Sequence, residues 1–167
     1  MSSETHAKPG ALVIDPQANM AALVADMLRA CGHRDIREAY DANHAQLDLR
    51  RRPFAVIVID DAITGPDAVE LVRRLRADPV GPNRLTPVIM MAAAPDATRI
   101  AAARDAGVTE FLRKPFAAIH LKSRLDSIAG SPRPFIEAES YSGPDRRRRA
   151  QDVGSTDRRA GHNPVED

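Results

Sequence analysis

The sequence is poor in several residue types, and each shortage excludes something. It holds one cysteine, Cys31, among 167 residues. No intramolecular disulfide and no paired-cysteine metal site can be built from it, and such usage fits a reducing cytoplasm. Tryptophan is absent and aromatic residues make up 4% of the chain, so the core must be aliphatic. No apolar run approaches the ~20 residues that a membrane span needs. The first ten residues carry no apolar stretch that could act as a signal peptide. Net charge is nearly nil, with Lys plus Arg 24 against Asp plus Glu 23, so charge alone points to neither DNA nor a membrane as partner. The five histidines are scattered and share no metal-ligand spacing. Lysine is scarce too: Lys8, Lys114 and Lys122 stand against 21 arginines. A GC-rich genome accounts for that bias, and an arginine run therefore says less here than in a lysine-rich protein.

What is present is an alternation of short apolar runs and helical periods. Residues 11–15, 36–40, 54–59, 87–91 and 109–112 read as strands, and 54–59 is unbroken, as a central parallel strand covered on both faces would be. Between them, 18–31 shows helical spacing through Met20, Leu23, Val24, Met27, Leu28 and Cys31, with Gly32 as a stop. Residues 42–50, 67–77, 96–106 and 117–128 read as further helices, the last with Ile119, Leu121, Leu125 and Ile128 as its apolar residues. The sum is an α/β fold, a (βα)₅ doubly wound parallel sheet spanning 11–130. Residues 1–10 read as a disordered N-terminus. Residues 131–167 keep no helical or strand period and hold few large apolar side chains. They are expected to be a tail that is disordered when free and can fold on a ligand.

In an open doubly wound sheet the active site lies beyond the carboxyl ends of the strands. Strand one ends in Asp15, strand three in Asp60 followed by Asp61, strand four in Ala92, and strand five near Lys114. Two carboxylates and a lysine converge there. Asp15 and Asp60 together could hold a hard cation such as Mg²⁺, a carboxylate beside it could take a phosphoryl group, and the lysine could neutralise phosphoryl oxygens. Three segments, Leu12-Val-Ile-Asp15, Ile57-Val-Ile-Asp60 and Gly107-Val-Thr-Glu-Phe-Leu-Arg-Lys114-Pro115-Phe116, in this order, resemble the response-regulator receiver (CheY-like) domain. The resemblance implies a flavodoxin-like fold, Asp60 as phospho-acceptor, Asp15 as metal ligand, Lys114 as the phosphate-pairing lysine and Phe111 at the aromatic switch position. A histidine kinase would be the phosphoryl donor, and no turnover of the chain's own is implied. Departures stand beside it. Pro16 replaces a second acidic residue and weakens the Mg²⁺ set. Ala92 replaces a Thr or Ser whose hydroxyl bonds the phosphoryl group. Thr64 and Ala68 replace a Pro and a Gly. Two readings of the rim follow: a working phosphorylation switch, or a receiver fold kept as a docking scaffold with Asp60 and Lys114 as a structural ion pair.

The densest chemistry is in the tail. Asp-Arg-Arg occurs at 145–147 and again at 157–159, each after small or turn-forming residues. Residues 145–159 hold six Arg and three Asp, yet 131–167 hold seven Arg and seven acidic residues, so the tail as a whole is neutral. A generic nucleic-acid tail is more cationic than this, because counterion release drives its binding. Asp alternating with Arg suits base reading: Arg pairs with guanine O6 and N7, Asp can accept from N1 and N2, and Arg also stacks on bases and pairs with phosphate. Tyr141 could add a stacking face. A functionless arginine-rich end, or a weak RNA- or phosphate-binding tail, are the alternatives. The stretches Arg133-Pro-Phe-Ile136 and Tyr141-Ser-Gly-Pro-Asp-Arg-Arg-Arg148, with the second Asp-Arg-Arg, resemble the CheY-like cyclic di-GMP effectors (the Cle group) of alphaproteobacteria. That resemblance implies a self-stacked cyclic di-GMP dimer held by Tyr141, Gly143, Pro144, Asp145, Arg146, Arg147, Arg148, Arg149, Asp157, Arg158 and Arg159, with Asp145 and Asp157 on guanine edges. It also implies that binding tunes docking to a protein partner such as the flagellar motor switch.

Overall fold

The computed structural model describes residues 9–131, 134–138 and 141–146. Five parallel strands, β1 (Ala11–Ile14), β2 (Ile36–Ala39), β3 (Val56–Asp60), β4 (Val88–Ala92) and β5 (Glu110–Arg113), form one sheet in the order β2-β1-β3-β4-β5. The connecting helices are α1 (Ala18–Ala30), α2 (Ala42–Arg51), α3 (Ala68–Ala77), α4 (Ala97–Ala106) and α5 (Ala118–Gly130). This is the doubly wound order whose reversal lies between β1 and β3. The alternation in the sequence is thus realised element for element.

Alternate side chains of the strands build two cores. Leu12, Ile14, Ile57, Ile59, Val88 and Met90 face α2, α3 and α4, meeting Ala45, Leu49, Val72 and Ala103. Ala11, Val13, Val58, Ile89, Met91 and Leu112 face α1 and α5, meeting Val24, Leu28 and Leu121. Every residue of β1, β3 and β4 is buried, which is why these strands read as continuous apolar runs rather than alternations. Aspartates cap three helices: the side chains of Asp41, Asp67 and Asp96 accept from the backbone N–H of His44, Val69 and Arg99.

Two helix faces differ from the apolar spacing in the sequence. The buried stripe of α1 is Ala21, Val24, Ala25 and Leu28, while Leu23 is exposed. Alanines let the helix approach the sheet closely, so the face turns toward them and away from the larger Leu23. In α5, Leu121 is buried but Ile119 is exposed. The N-terminal boundary also moves: Gly10 is buried and its carbonyl accepts from Ala55 N at 2.7 Å, so it belongs to the domain.

The larger correction concerns 134–146, where the sequence showed no strand period. β6 (Phe135–Ala138) and β7 (Tyr141–Pro144) pair antiparallel, with Phe135 opposite Pro144 and Ile136 opposite Gly143. The hairpin lies against α3 and α4. Tyr141 is 8% exposed, and its hydroxyl donates to Pro144 O at 2.5 Å. A Cβ on Gly143 would stand 2.9 Å from Gly107 Cα. Only glycine permits so close an approach of β7 to the α4–β5 turn. Gly107 itself has φ 109°, a left-handed helix end that favours glycine.

Candidate functional site

Asp15, Asp60 and Lys114 meet at the carboxyl rim because β1, β3 and β5 end there. Asp15 is 1% and Asp60 5% exposed. Lys114 Nζ pairs with Asp60 Oδ2 and lies 3.4 Å from Asp15 Oδ2. The other carboxylate oxygens are held by local turns: Gln17 N donates to Asp15 Oδ1 and Ala62 N to Asp60 Oδ1, each at 2.8 Å. Burial raises the Asp15 carboxyl above its ordinary value; the Gln17 N–H lowers it, the Asp60 charge adds to the rise, and Lys114 opposes it. Burial alone would lower the Lys114 ammonium, but the Asp60 and Asp15 carboxylates outweigh it and the net shift is upward. The lysine thus serves as counter-ion to both.

The donors suit a hard divalent cation in kind, being carboxylates from two adjacent strand ends. They are few in number. Among the described residues no cluster of three acidic, histidine or cysteine side chains forms at this rim or elsewhere. Pro16 contributes no side-chain oxygen, and Asp61 is engaged on the far side. Arg99 of α4 donates through Nε to Asp61 Oδ1 at 2.5 Å and through Nη2 to Asp67 Oδ2 at 2.9 Å. Those bonds, that to Asp61 first, raise the Arg99 pKa. Arg99 therefore ties the loop after β3 to the first turn of α4. No sequence signal marks that pairing, because Arg99 and Asp61 are 38 positions apart.

Ala92 is buried at the end of β4, where it presents a methyl group and no hydroxyl. Its carbonyl accepts from Lys114 N at 2.8 Å. Phe111 sits on β5 opposite Met90 and packs, half-buried, against the core under α4. A polar link from Asp60 through residue 92 to Phe111 is therefore missing.

The tail residues named above are divided by the structure. Tyr141, Gly143, Pro144, Asp145 and Arg146 lie in or just after the hairpin; Arg147, Arg148, Arg149, Asp157, Arg158 and Arg159 lie outside the described residues. Tyr141 is turned into the domain rather than outward. The Arg146 guanidinium covers its ring at 4.5 Å from the centroid and pairs with Asp105 of α4 at 2.5 Å. Asp145 N donates to Pro134 O at 2.8 Å, closing the hairpin's open end. Arg146, the first arginine of the first Asp-Arg-Arg, is thus fixed on the surface of α4.

A second arginine was missed by sequence reading. Arg76 of α3 is 1% exposed and has no carboxylate partner among the described residues. Its guanidinium donates to the carbonyls of Gly107 at 3.1 Å, Arg84 at 2.6 Å and Thr86 at 2.8 Å, and Nη2 finds no acceptor among the described residues. Burial lowers its pKa to about 10. Its own carbonyl accepts from Ser142 Oγ at 3.1 Å and from Arg84 Nε at 3.0 Å. Arg84 in turn pairs with Glu137 and covers the Phe135 ring at 5.1 Å. The hairpin is moored through these contacts. The signal for Arg76 was its spacing: it follows Val69 and Val72 at i+7 and i+4, on the inward stripe of α3.

The chain is similar to known proteins in sequence and fold. The pattern of the response regulator receiver domain matches residues 11–126. The chemotaxis protein CheY-3 of Vibrio cholerae serotype O1 is 32% identical over 117 residues, covering 70% of this chain and 88% of that protein. CheY of Pseudomonas aeruginosa is 32% identical over 119 residues, covering 70% and 93%. The crystal structure of Vibrio cholerae CheY4 superposes with a TM-score of 0.66 at 22% identity, covering 73% of this chain and 99% of that one. The match ends before β6, so the hairpin and the arginine segment stand outside the shared fold.

Proposed function

Because the chain belongs to the response regulator receiver family, with its acidic pair and lysine at the expected rim, we propose that it is a signalling protein whose output is set by cyclic di-GMP captured on the tail. The Asp/Arg segment binds the dinucleotide, and binding tunes docking to a protein partner, the flagellar motor switch being the one suggested by the Cle resemblance. One observation carries this reading: the β6–β7 hairpin leads directly into Asp145 and Arg146, the opening of the first Asp-Arg-Arg, and seats Arg146 on the surface of α4. A segment built only as solvated charge has no need of a buried Tyr141 and a moored hairpin at its root. The missing hydroxyl at Ala92 supports it further, since phosphorylation alone has little to pull on.

Calorimetric titration of cyclic di-GMP into the full chain tests the proposal. Saturable binding is expected, abolished when both Asp-Arg-Arg copies are replaced by alanine and retained in Asp60→Asn. Binding that depends on Asp60, or no heat at tens of micromolar, overturns it.

The Asp15–Lys114–Asp60 arrangement favours a second, compatible reading. Asp60 takes a phosphoryl group from a histidine kinase, and Lys114 transfers its ion pair to the phosphoryl oxygens. Asp15 and Asp60 would hold a divalent cation, weakly, which when bound would offset phosphoryl charge. Radiolabelled phosphate transfer from a kinase tests this, and its absence with every donor removes it.

A further inference from the structure

A groove of about 320 Å³ runs between α4 and β5, lined by Ile100, Arg104, Val108, Thr109, Phe111 and Arg146, with Glu110 at its edge. Ligand pockets start at about 300 Å³, so this one suits a single nucleotide unit rather than a dinucleotide pair. Ile100, Val108 and Phe111 supply its apolar lining. Its rims are cationic. Arg104 is exposed on α4 and makes no side-chain ion pair among the described residues. Arg146 arrives from the hairpin, held in place by Asp105 and by the Tyr141 ring. The Glu110 carboxylate lies 3.8 Å from the Arg124 guanidinium of α5.

Resting on the cyclic di-GMP reading above, we infer that this groove seats one guanylate of the tail-bound nucleotide. The base lies on Ile100 and Phe111, and its phosphate lies between Arg104 and Arg146. An aromatic ring such as Phe111 takes the face of a purine, and guanidinium groups pair with phosphate in a fork geometry that lysine lacks. The chain runs from Arg146 directly into Arg147, Arg148 and Arg149, so a ligand gripped by the tail lies next to the groove. The consequence is a route from ligand to domain. Phe111 forms part of the groove wall and also packs on the core under α4. Occupancy is then felt at β5 from outside the domain, without the hydroxyl that Ala92 lacks.

The test uses the full chain, cyclic di-GMP as probe, and two readouts. In ¹⁵N-labelled protein, the amides of Thr109, Glu110 and Phe111 should shift with the same midpoint as the arginine-segment amides. Arg104→Glu should weaken affinity about tenfold, the loss typical of a charge-assisted contact, while Arg104→Lys, which keeps the charge but not the fork, should lose less. Arg104 is exposed, so these variants fold. If the arginine-segment amides saturate while β5 stays still and Arg104→Glu binds as wild type does, the groove is not the seat, and tail capture survives. If the full chain binds no cyclic di-GMP, tail capture falls and this inference falls with it.

Discussion

Replacing Gly143 with alanine should lift the hairpin off the domain and leave the sheet intact. The added methyl would lie 2.7 Å from the Tyr141 hydroxyl and 2.9 Å from Gly107 Cα. Neither can give way easily. Gly107 is backbone in a left-handed turn packed on Arg76, and the Tyr141 hydroxyl is tied to Pro144 O. Inserting a methyl into so tight a contact costs about 1–3 kcal/mol. Burying the Tyr141 ring supplies a similar amount, about 1.5–3 kcal/mol for a large apolar side chain, so the substitution is of the right size to tip docking. Hydrogen exchange of the hairpin amides reads it directly, because local opening free energies set those rates. Asp145 N, bonded to Pro134 O, and its β6–β7 neighbours should exchange roughly 5- to 150-fold faster, the factor that 1–3 kcal/mol represents. Amides of β1 and β3 should keep their protection. Unchanged exchange at Asp145, or equal acceleration in β1, would refute the claim that Gly143 is the contact that admits the hairpin. Ser142→Ala, which removes the bond to Arg76 O and the longer one that the hydroxyl accepts from Arg84 Nη2, should give a smaller acceleration, about fivefold for a loss near 1 kcal/mol.

Other consequences can be measured alongside. Lys114→Met leaves Asp15 and Asp60 facing each other in a buried site. It should destabilise the domain by about 3 kcal/mol in chemical denaturation at neutral pH, and the deficit should shrink in acid as Asp15, whose proton affinity is already raised, becomes neutral. Arg99→Ala releases Asp61 and Asp67 and should cost about 1 kcal/mol, typical of a partly exposed ion pair. Burial works to raise the Asp67 carboxyl, but the Arg99 bond and the Val69 N–H outweigh it and hold it below its ordinary 3.8. Its share of stability is thus present above pH 3.8 and lost as pH falls through the lower folded value, so wild type and variant should converge in acid. Arg76→Met removes three bonds to carbonyls and exposes their unmet demand; it should lower the melting temperature and loosen the hairpin together, a pairing that differential scanning calorimetry and Asp145 exchange can detect.

Most of the sheet was legible because its strands are buried on both faces and its helices carry clear stops. Val56–Asp60 could be placed from six apolar letters, and the meeting of Asp15, Asp60 and Lys114 followed from strand ends alone, although 99 positions separate the first from the last. The hairpin was not legible. Gly143 and Pro144 are poor strand residues, and β6 and β7 owe their pairing to a surface made by α3, α4 and the α4–β5 turn. That surface is a product of the fold. Leu23 was read as inward because size was weighed over closeness, whereas Ala21 and Ala25 decide the face of α1. Arg76 was overlooked because a charge on an apolar stripe is usually taken as an interruption; here three carbonyls make it part of the interior.

Gly107 has a bearing on how freely this tail could be moved between proteins. One side of the residue is closed by the Arg76 side chain, 2.7 Å from where a Cβ would stand, and the other by Gly143. Appending residues 131–167 to another receiver would therefore transplant the arginines without their mooring, unless the host offered a bare backbone at the end of its fourth helix and a long cation beneath it. The tail is not a detachable module. Its attachment point is inscribed in the domain, about two dozen residues upstream of where the tail begins.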